Sequence, residues 1–450
     1  MPQKLGGNCE IQMQFDVVIV GGGLSGLAAS IQLSQENLKI NLIEKNSYLG
    51  GRARSFIENK TGDEIDDGQH LILGCYKNSF QYLKKIKSLS LLKFHNNLEI
   101  NFRFGKRKFK LKAWNLPAPF HIIFSLLNLK SLQLKERINL IRIGFALFYN
   151  EKNISNLTVE EWLNSHKQSQ NAKNYLWNVI SVGALNGLPQ NTSAEIFKNI
   201  LKEIFLYSNK NSRFVIPKLG LSKIFVEGAV KHLETHRVKI SYNEAIEKIL
   251  IHKNSVIGVE LKNGNIIKTN SVVLSVPHSE LKKIVTNSKI ENDFKYLDQL
   301  SFSPILNIHL WFDKYFMKEE FISILDSPLH WIFNKSESSK LHYLTIVISA
   351  AHEYINWNNQ NILEMCKIEI EKVFPDSKNA KLIHHKIIKQ KRATFLQTPT
   401  AEKYRPENKT SINGLFIAGD WTKTNLPATI EGAILSGNNA AELVKKYLIR

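Results

Sequence analysis

Residues 15–26, Phe15-Asp-Val-Val-Ile-Val-Gly-Gly-Gly-Leu-Ser-Gly26, pass from a β-branched apolar run through three consecutive glycines into a helix-forming segment. A Val/Ile run without alternation reads as a strand buried on both faces of a parallel sheet. Residues 24–35 set Leu24, Leu27, Ala28 and Ile31 on one helical face, and Ile40-Asn-Leu-Ile-Glu44 reads as the next strand. The unit is βαβ, with GxGxxG made by Gly21, Gly23 and Gly26 at the strand-to-helix turn. Gly21 permits the turn, Gly23 lets the backbone approach a pyrophosphate, and Gly26 lets helix and strand pack closely. The helix N-terminus presents its free N–H groups to the anion. Glu44, ending the second strand, is placed to accept from ribose hydroxyls and disfavours a 2′-phosphate. These residues alone leave NAD and FAD open.

Two further stretches resolve the choice. Leu49-Gly-Gly-Arg-Ala-Arg-Ser55 adds glycines that allow close approach to phosphate, with Arg52 and Arg54 as cations, a feature nicotinamide dehydrogenases do not need. Near the other end, Ala418-Gly-Asp420 closes a strand on a carboxylate able to bind ribityl hydroxyls. The helix beginning near Thr429 offers its positive end to a flavin N1–C2=O. Together these motifs point to FAD, and the absence of any Cys after Cys366 predicts that it is held non-covalently.

The 450 residues are 43% hydrophobic and 22% charged, a globular composition with length for two or three domains. Cys9, Cys75 and Cys366 stand far apart with no CxxC, so neither a disulfide framework nor a metal site is expected, and a reduced, cytoplasmic compartment follows. The first 14 residues lack the apolar core of a signal peptide and no stretch is long enough to span a bilayer, giving a soluble or peripheral chain. The net charge is +20, but Arg supplies 11 of the 60 cations and there is no RGG tract or finger spacing, so nucleic acid is not an expected partner. The one dense basic run, 103–110, fits a strand hairpin with a solvated face. Residues 114–206 read mostly as helices, 238–276 as strands with a turn at Asn263-Gly264, and 300–400 as mixed.

At this point the chain resembles the FAD-dependent amine oxidase and phytoene desaturase superfamily and, more narrowly, the hydroxysqualene dehydroxylase family. The resemblance runs from Phe15 to about Val444. It is carried by Gly50-Gly-Arg-Ala-Arg-Ser-Phe56, Asp66-Asp-Gly-Gln-His-Leu-Ile-Leu-Gly-Cys-Tyr76, Leu116-Pro-Ala-Pro-Phe-His121, Ala184-Leu-Asn186 and Leu426-Pro-Ala-Thr-Ile-Glu-Gly432. Two positions depart from the family pattern: Asp67 stands where Asn is usual, and Leu176-Trp-Asn-Val-Ile-Ser181 lacks a customary Pro.

The resemblance implies an α/β fold, a Rossmann-like FAD-binding domain interleaved with a mixed α+β, largely helical substrate domain. The FAD domain would comprise 15–75, 214–285 and 405–450, the substrate domain 76–213 and 286–404, and residues 1–14 a flexible N-terminus. FAD would meet Gly21, Gly23, Leu24, Ser25, Gly26, Glu44, Lys45, Gly51, Arg52 and Arg54. Its adenine would lie near Ala245 and Ile246, and its flavin end near Gly419, Asp420, Ala428, Thr429 and Ile430. The implied reaction is reductive dehydroxylation of hydroxysqualene to squalene, with a carotenoid-type desaturation as the rival and a non-catalytic flavin- or membrane-surface protein as the different class. Loss of hydroxide as water needs a proton donor, for which His70 and Asp67 are candidates, with Gln69 orienting the hydroxyl. The competing expectation is that His70 and Asp67 only bond within their loop. The apolar run Phe120 to Leu127, followed by Lys130, Lys135, Arg137 and Arg142, is expected either in a membrane interface or as a buried helix. A single dinucleotide fingerprint leaves the reductant as NAD(P)H or another external electron donor.

Overall fold

The computed structural model describes residues 14–449. The flexible stretch expected over 1–14, and with it Cys9, lies outside the described residues except for Gln14, which bridges Lys268. The all-apolar strand Val17–Val20 sits at the centre of a five-stranded parallel sheet, between Ile40–Ile43 and Ser271–Leu274. Lys239–Ser241 and Leu415–Ile417 close its two edges. Helix Leu24–Leu33 is buried nearly all round, packed against the sheet and along helix Ile430–Leu448, which shares the same core. That crossing is tight: a Cβ at Gly437 would stand 2.1 Å from the Ser25 carbonyl oxygen. The last helix of the chain is thereby locked onto the first.

The other sheet face carries an antiparallel meander, Ile246–His252, Ser255–Leu261 and Ile266–Lys268, whose final turn has Gly264 at φ +87° as the Asn-Gly pair predicts. Helix Lys77–Lys85 and strand Leu92–Phe94 pack with the first core through Tyr82, Leu83, Ile86 and Leu92. We therefore place the crossover into the second domain after Phe94 rather than at 76.

The second domain is organised on a seven-stranded sheet in the order Leu382–Phe395, Phe302–Phe312, His342–Ser349, Trp331–Asn334, Phe321–Ile324, Glu99–Phe104, Arg107–Lys112. Helix Asn359–Val373 covers one face through Ile362, Cys366 and Ile370. The helices of the 120–205 insertion, including Phe120–Leu127, Leu134–Ala146 and Ala194–Phe205, pack on part of the other. The basic run 103–110 forms the expected hairpin, but Arg103 is buried and ion-paired with Glu319 rather than solvated. Among the described residues no helix is long and apolar enough to cross a membrane.

Candidate active site

Between the two domains lies one continuous cavity of about 830 Å³. Its floor at the polar end is the glycine turn. Gly21 adopts φ +102°, and a Cβ there would lie 2.6 Å from the Ser275 carbonyl oxygen. A Cβ at Gly26 would lie 2.0 Å from the Gly21 carbonyl oxygen, so Gly26 serves helix packing and does not line the cavity. Around Gly23, by contrast, a Cβ would meet nothing within 4 Å, and no side chain caps the helix that this residue begins. Open space over uncapped N–H groups is what a pyrophosphate requires.

Glu44 is held at the end of its strand by the Gly22 N–H at 2.8 Å and the Asn46 N–H at 2.9 Å. Its carboxylate lines the cavity: Oε1 also accepts from Asn46 Nδ2 at 2.6 Å, and Oε2, which accepts only from Gly22, keeps a lone pair for a ribose hydroxyl. Lys45, Ala245 and Ile246 line the same end, as do Leu24 and Ser25 near the turn. Gly50 donates its N–H to the Gly22 carbonyl at 2.8 Å, laying the second glycine pair on the first and bringing Gly51 to the cavity wall.

Arg52 joins the two ends of the chain. Its guanidinium donates to Asp420 at 2.8 Å and to the Ala393 carbonyl oxygen. Gly419, Asp420, Ala428, Thr429 and Ile430 all line the cavity, and Thr429 caps helix Ile430–Leu448 by accepting from the Gly432 N–H. Arg54, expected among the phosphate cations, does not line the cavity: its guanidinium stacks 3.9 Å above the Tyr48 ring. The stacking takes its charge away from the phosphate region.

Asp67, Gly68, Gln69 and His70 form a loop along the cavity, continued by Leu71 and Leu73. Asp66 is structural: its carboxylate accepts from Ser55 Oγ at 2.7 Å and from the Leu221 N–H at 2.9 Å. Among the described residues no donor reaches the Asp67 carboxyl, and burial pushes its pKa up, opposed by Arg54 and aided by Asp66. Burial, and then the Arg52 guanidinium, pushes the His70 imidazole down to about 4. At neutral pH His70 is therefore uncharged, while burial biases Asp67 toward its protonated form.

Several positioning residues had gone unnoticed in the sequence. Asn307, on the second-domain sheet, donates from Nδ2 to the Asp67 carbonyl at 3.1 Å and accepts from the Gln69 N–H at 3.4 Å. A single Asn within an apolar strand was its only signal. Arg405 donates to the carbonyl oxygens of Asp420, Thr422 and Leu426. Arginine is scarce in this lysine-rich chain, and it stands where a fork of donors is needed. Glu431 accepts from the Asn78 and Ser79 backbone N–H groups at 2.9 and 2.8 Å, capping helix Lys77–Lys85 from the helix that Thr429 begins.

The remaining wall is apolar, with Leu98, Ile100, Leu111, Val179, Ile180, Phe205, Trp331 and Phe333. Val179 and Ile180 follow a π-helical turn, Lys173–Trp177, at the segment that departs from the family pattern. Phe302 and His278 stack at 4.1 Å beside the polar half. A polar dinucleotide cradle thus opens into an apolar pocket, with the Asp67 carboxyl along the connecting loop.

Residues 24–445 match the family model described as flavin containing amine oxidoreductase. The 15-cis-phytoene desaturase of an Oncidium hybrid cultivar is 27% identical over 95% of this chain and 77% of its own length. The hydroxysqualene dehydroxylase of Zymomonas mobilis is 25% identical over 95% of this chain and 99% of its own length. Among solved structures, an oxidoreductase from Methanosarcina mazei superposes with a TM-score of 0.75 at 17% identity, covering 96% of this chain and 100% of that one. The glycine cradle, the Arg52–Asp420 pair and the full-length match agree: the chain belongs to the flavin-containing amine oxidoreductase family and is an FAD-dependent oxidoreductase.

Proposed function

We propose that the protein removes the hydroxyl of hydroxysqualene reductively, releasing squalene and water. The observation that carries this reading is the polar loop 67–70 set between the cofactor cradle and an apolar pocket; its Asp67 carboxyl, in place of the family's usual Asn, has no hydrogen-bonded partner among the described residues and a raised pKa, and in this chain it is assigned the proton. A dehydroxylation needs a proton for the departing oxygen, whereas hydride removal from a hydrocarbon does not. Bound FAD, once reduced, supplies the hydride: R–OH plus reduced flavin gives R–H, water and oxidised flavin. Asp67 Oδ holds the proton for the leaving hydroxyl. Gln69 and neutral His70, on the same loop, orient that hydroxyl, and Trp331, Phe333 and Phe205 exclude water from the polyprene chain. The test is anaerobic: holoenzyme reduced with dithionite is mixed with hydroxysqualene, and flavin absorbance and squalene are followed together. Stoichiometric reoxidation and squalene are expected. Flavin that stays reduced, with oxidised enzyme bleaching on addition of phytoene, replaces this reading with the desaturase one, which the 27% identity to a phytoene desaturase supports equally.

The apolar substrate is taken from a lipid surface. Helices Phe120–Leu127 and Leu134–Ala146 present Phe120, Phe124, Leu134 and Ile138 outward, and Phe145 and Phe148 are 62% and 66% exposed. Lys130, Lys135 and the hairpin tip Lys106-Arg107-Lys108 add exposed cations. A second apolar cavity of about 100 Å³ lies between these helices and shares Leu111, Ile180 and Phe205 with the main one. A patch of this kind, rimmed by cations, suits an anionic interface. Wild type is expected to float with phosphatidylserine liposomes and Phe145→Glu/Phe148→Glu to stay behind with its flavin bound. Equal flotation removes the membrane role.

A further inference from the structure

The edge of the seven-stranded sheet opposite the hairpin is strand Leu382–Phe395, hydrogen-bonded on one side only, to Phe302–Phe312. Between Ser377 and Ala401 the chain has six Lys or Arg and no Asp or Glu. Of these cations, Lys386 alone forms an ion pair among the described residues, with Glu58 at 3.5 Å. Lys378, Lys381, Lys391 and Arg392 are exposed. The strand's 14 residues make a positive ridge about 45 Å long at ~3.3 Å per residue.

The ridge ends at the cofactor. Where the register shifts between Ser303 and Ile305, the strand bulges, and Gln390, Arg392, Ala393 and Thr394 line the cavity. The bulge also receives Arg52 at the Ala393 carbonyl, so the ridge touches the same pair that holds Asp420. Facing it, Lys45 and Lys283 share one carboxylate, Glu280, which Arg392 also attracts. Lysines on an edge strand guard against strand addition. That role accounts for neither the acid-free length nor its convergence on the crevice.

We propose that this basic edge docks a small acidic electron-carrier protein, which reduces the flavin. The inference rests on the FAD-dependent reading and supplies its missing reductant. The five-stranded sheet provides one glycine turn and one dinucleotide cradle. Two one-electron carriers are each oxidised once, and their two electrons with two protons from solvent give the reduced flavin that the substrate's hydroxyl then consumes. Charge complementarity of this kind raises encounter rates and is weakened by salt. The membrane-facing helices follow the hairpin at the other edge of the sheet, six strand spacings or roughly 29 Å away at about 4.8 Å each. Lipid and carrier can therefore be engaged together.

The test uses the yellow holoenzyme without oxygen. A plant-type 2Fe–2S ferredoxin and a flavodoxin, each kept reduced by an NADPH-dependent reductase, are mixed with wild type, with Lys381→Glu/Lys391→Glu and with the control Lys152→Glu/Lys167→Glu, at exposed cations away from the edge. Flavin bleaching is recorded over a series of NaCl concentrations, and binding of the oxidised carriers is measured by calorimetry. At least one carrier is expected to bind and reduce wild type and control alike, at a rate that falls steeply with salt. Lys381→Glu/Lys391→Glu is expected to lose the binding heat and at least tenfold in rate, while dithionite bleaches all three equally. Three results overturn the proposal: neither carrier reduces wild type, the edge variant matches wild type, or NADPH alone reduces the flavin as fast. A protein purified without flavin overturns the FAD-dependent reading instead.

Discussion

Asp67→Asn, which installs the residue usual at this position in the resembled family, is expected to lower hydroxysqualene turnover by about 10²-fold, the low end of the usual worth of a positioned proton donor, while the flavin spectrum is retained, because the family's Asn implies that a second donor serves in its absence. The amide keeps the shape of the side chain and the loop's backbone bonds from Asn307, so only the transferable proton is removed. The pH profile follows from the direction of the shift. A carboxyl whose pKa is raised by burial is protonated at low pH and loses its proton as pH rises. Turnover should therefore fall on the alkaline side, through a pKa above the ordinary carboxylate value. Asp67→Glu, which keeps the proton but moves it, should recover part of the rate. Turnover by Asp67→Asn within a few-fold of wild type would falsify the assignment.

Acidification should unfold the protein well before its carboxylates are neutralised. His278, His309 and His342 are at most 4% exposed. Burial holds them uncharged, with pKa values pushed down to about 4, about 3 and about 4. The His342 geometry agrees, since its Nε2 accepts from the Met317 N–H at 3.4 Å. In the unfolded chain each titrates near 6.5, so their stabilisation is complete above that pH and is lost as pH falls toward the folded values. At about pH 5 the loss is about 2 kcal/mol for each, or ~6 kcal/mol together, a large share of a typical 5–15 kcal/mol. Urea midpoints compared at about pH 7 and pH 5 should show a collapse in stability. Equal midpoints would show that these imidazoles are not held neutral.

The polar end of the cavity was legible because its parts are local. Gly21, Gly23 and Glu44 act through short spacings that a βαβ unit fixes, and Asp420 and Thr429 stand at a strand end and a helix start that composition marks. Asn307 was not legible, since it acts on Asp67 across 240 positions. Arg405 and Glu431 likewise gain their meaning from partners brought together only by the fold. The seven-stranded sheet was read as mixed structure because strands such as His342–Ser349 are buried at every position, leaving no alternation to find. Arg103 looked solvated for the opposite reason: a basic run on a hairpin conceals the one member that turns inward to Glu319. Arg54 was assigned from its place beside Arg52, but neighbours in a bend point in different directions, and Tyr48 took its charge.

The lock between helices Leu24–Leu33 and Ile430–Leu448 has a bearing on how the chain is made. Strand Val17–Val20 is made well before two of its partners: one of its two neighbours comes at residues 271–274, and the helix packed on Leu24–Leu33 at residues 430–448. A nascent chain therefore carries a half-paired, wholly apolar strand until residues 271–274 are made, a condition under which aggregation competes with folding. The helix that the glycine turn begins gains its packing partner only once residues 430–448 are made, so a chain stopped before them presents the anion cradle on an uncovered helix.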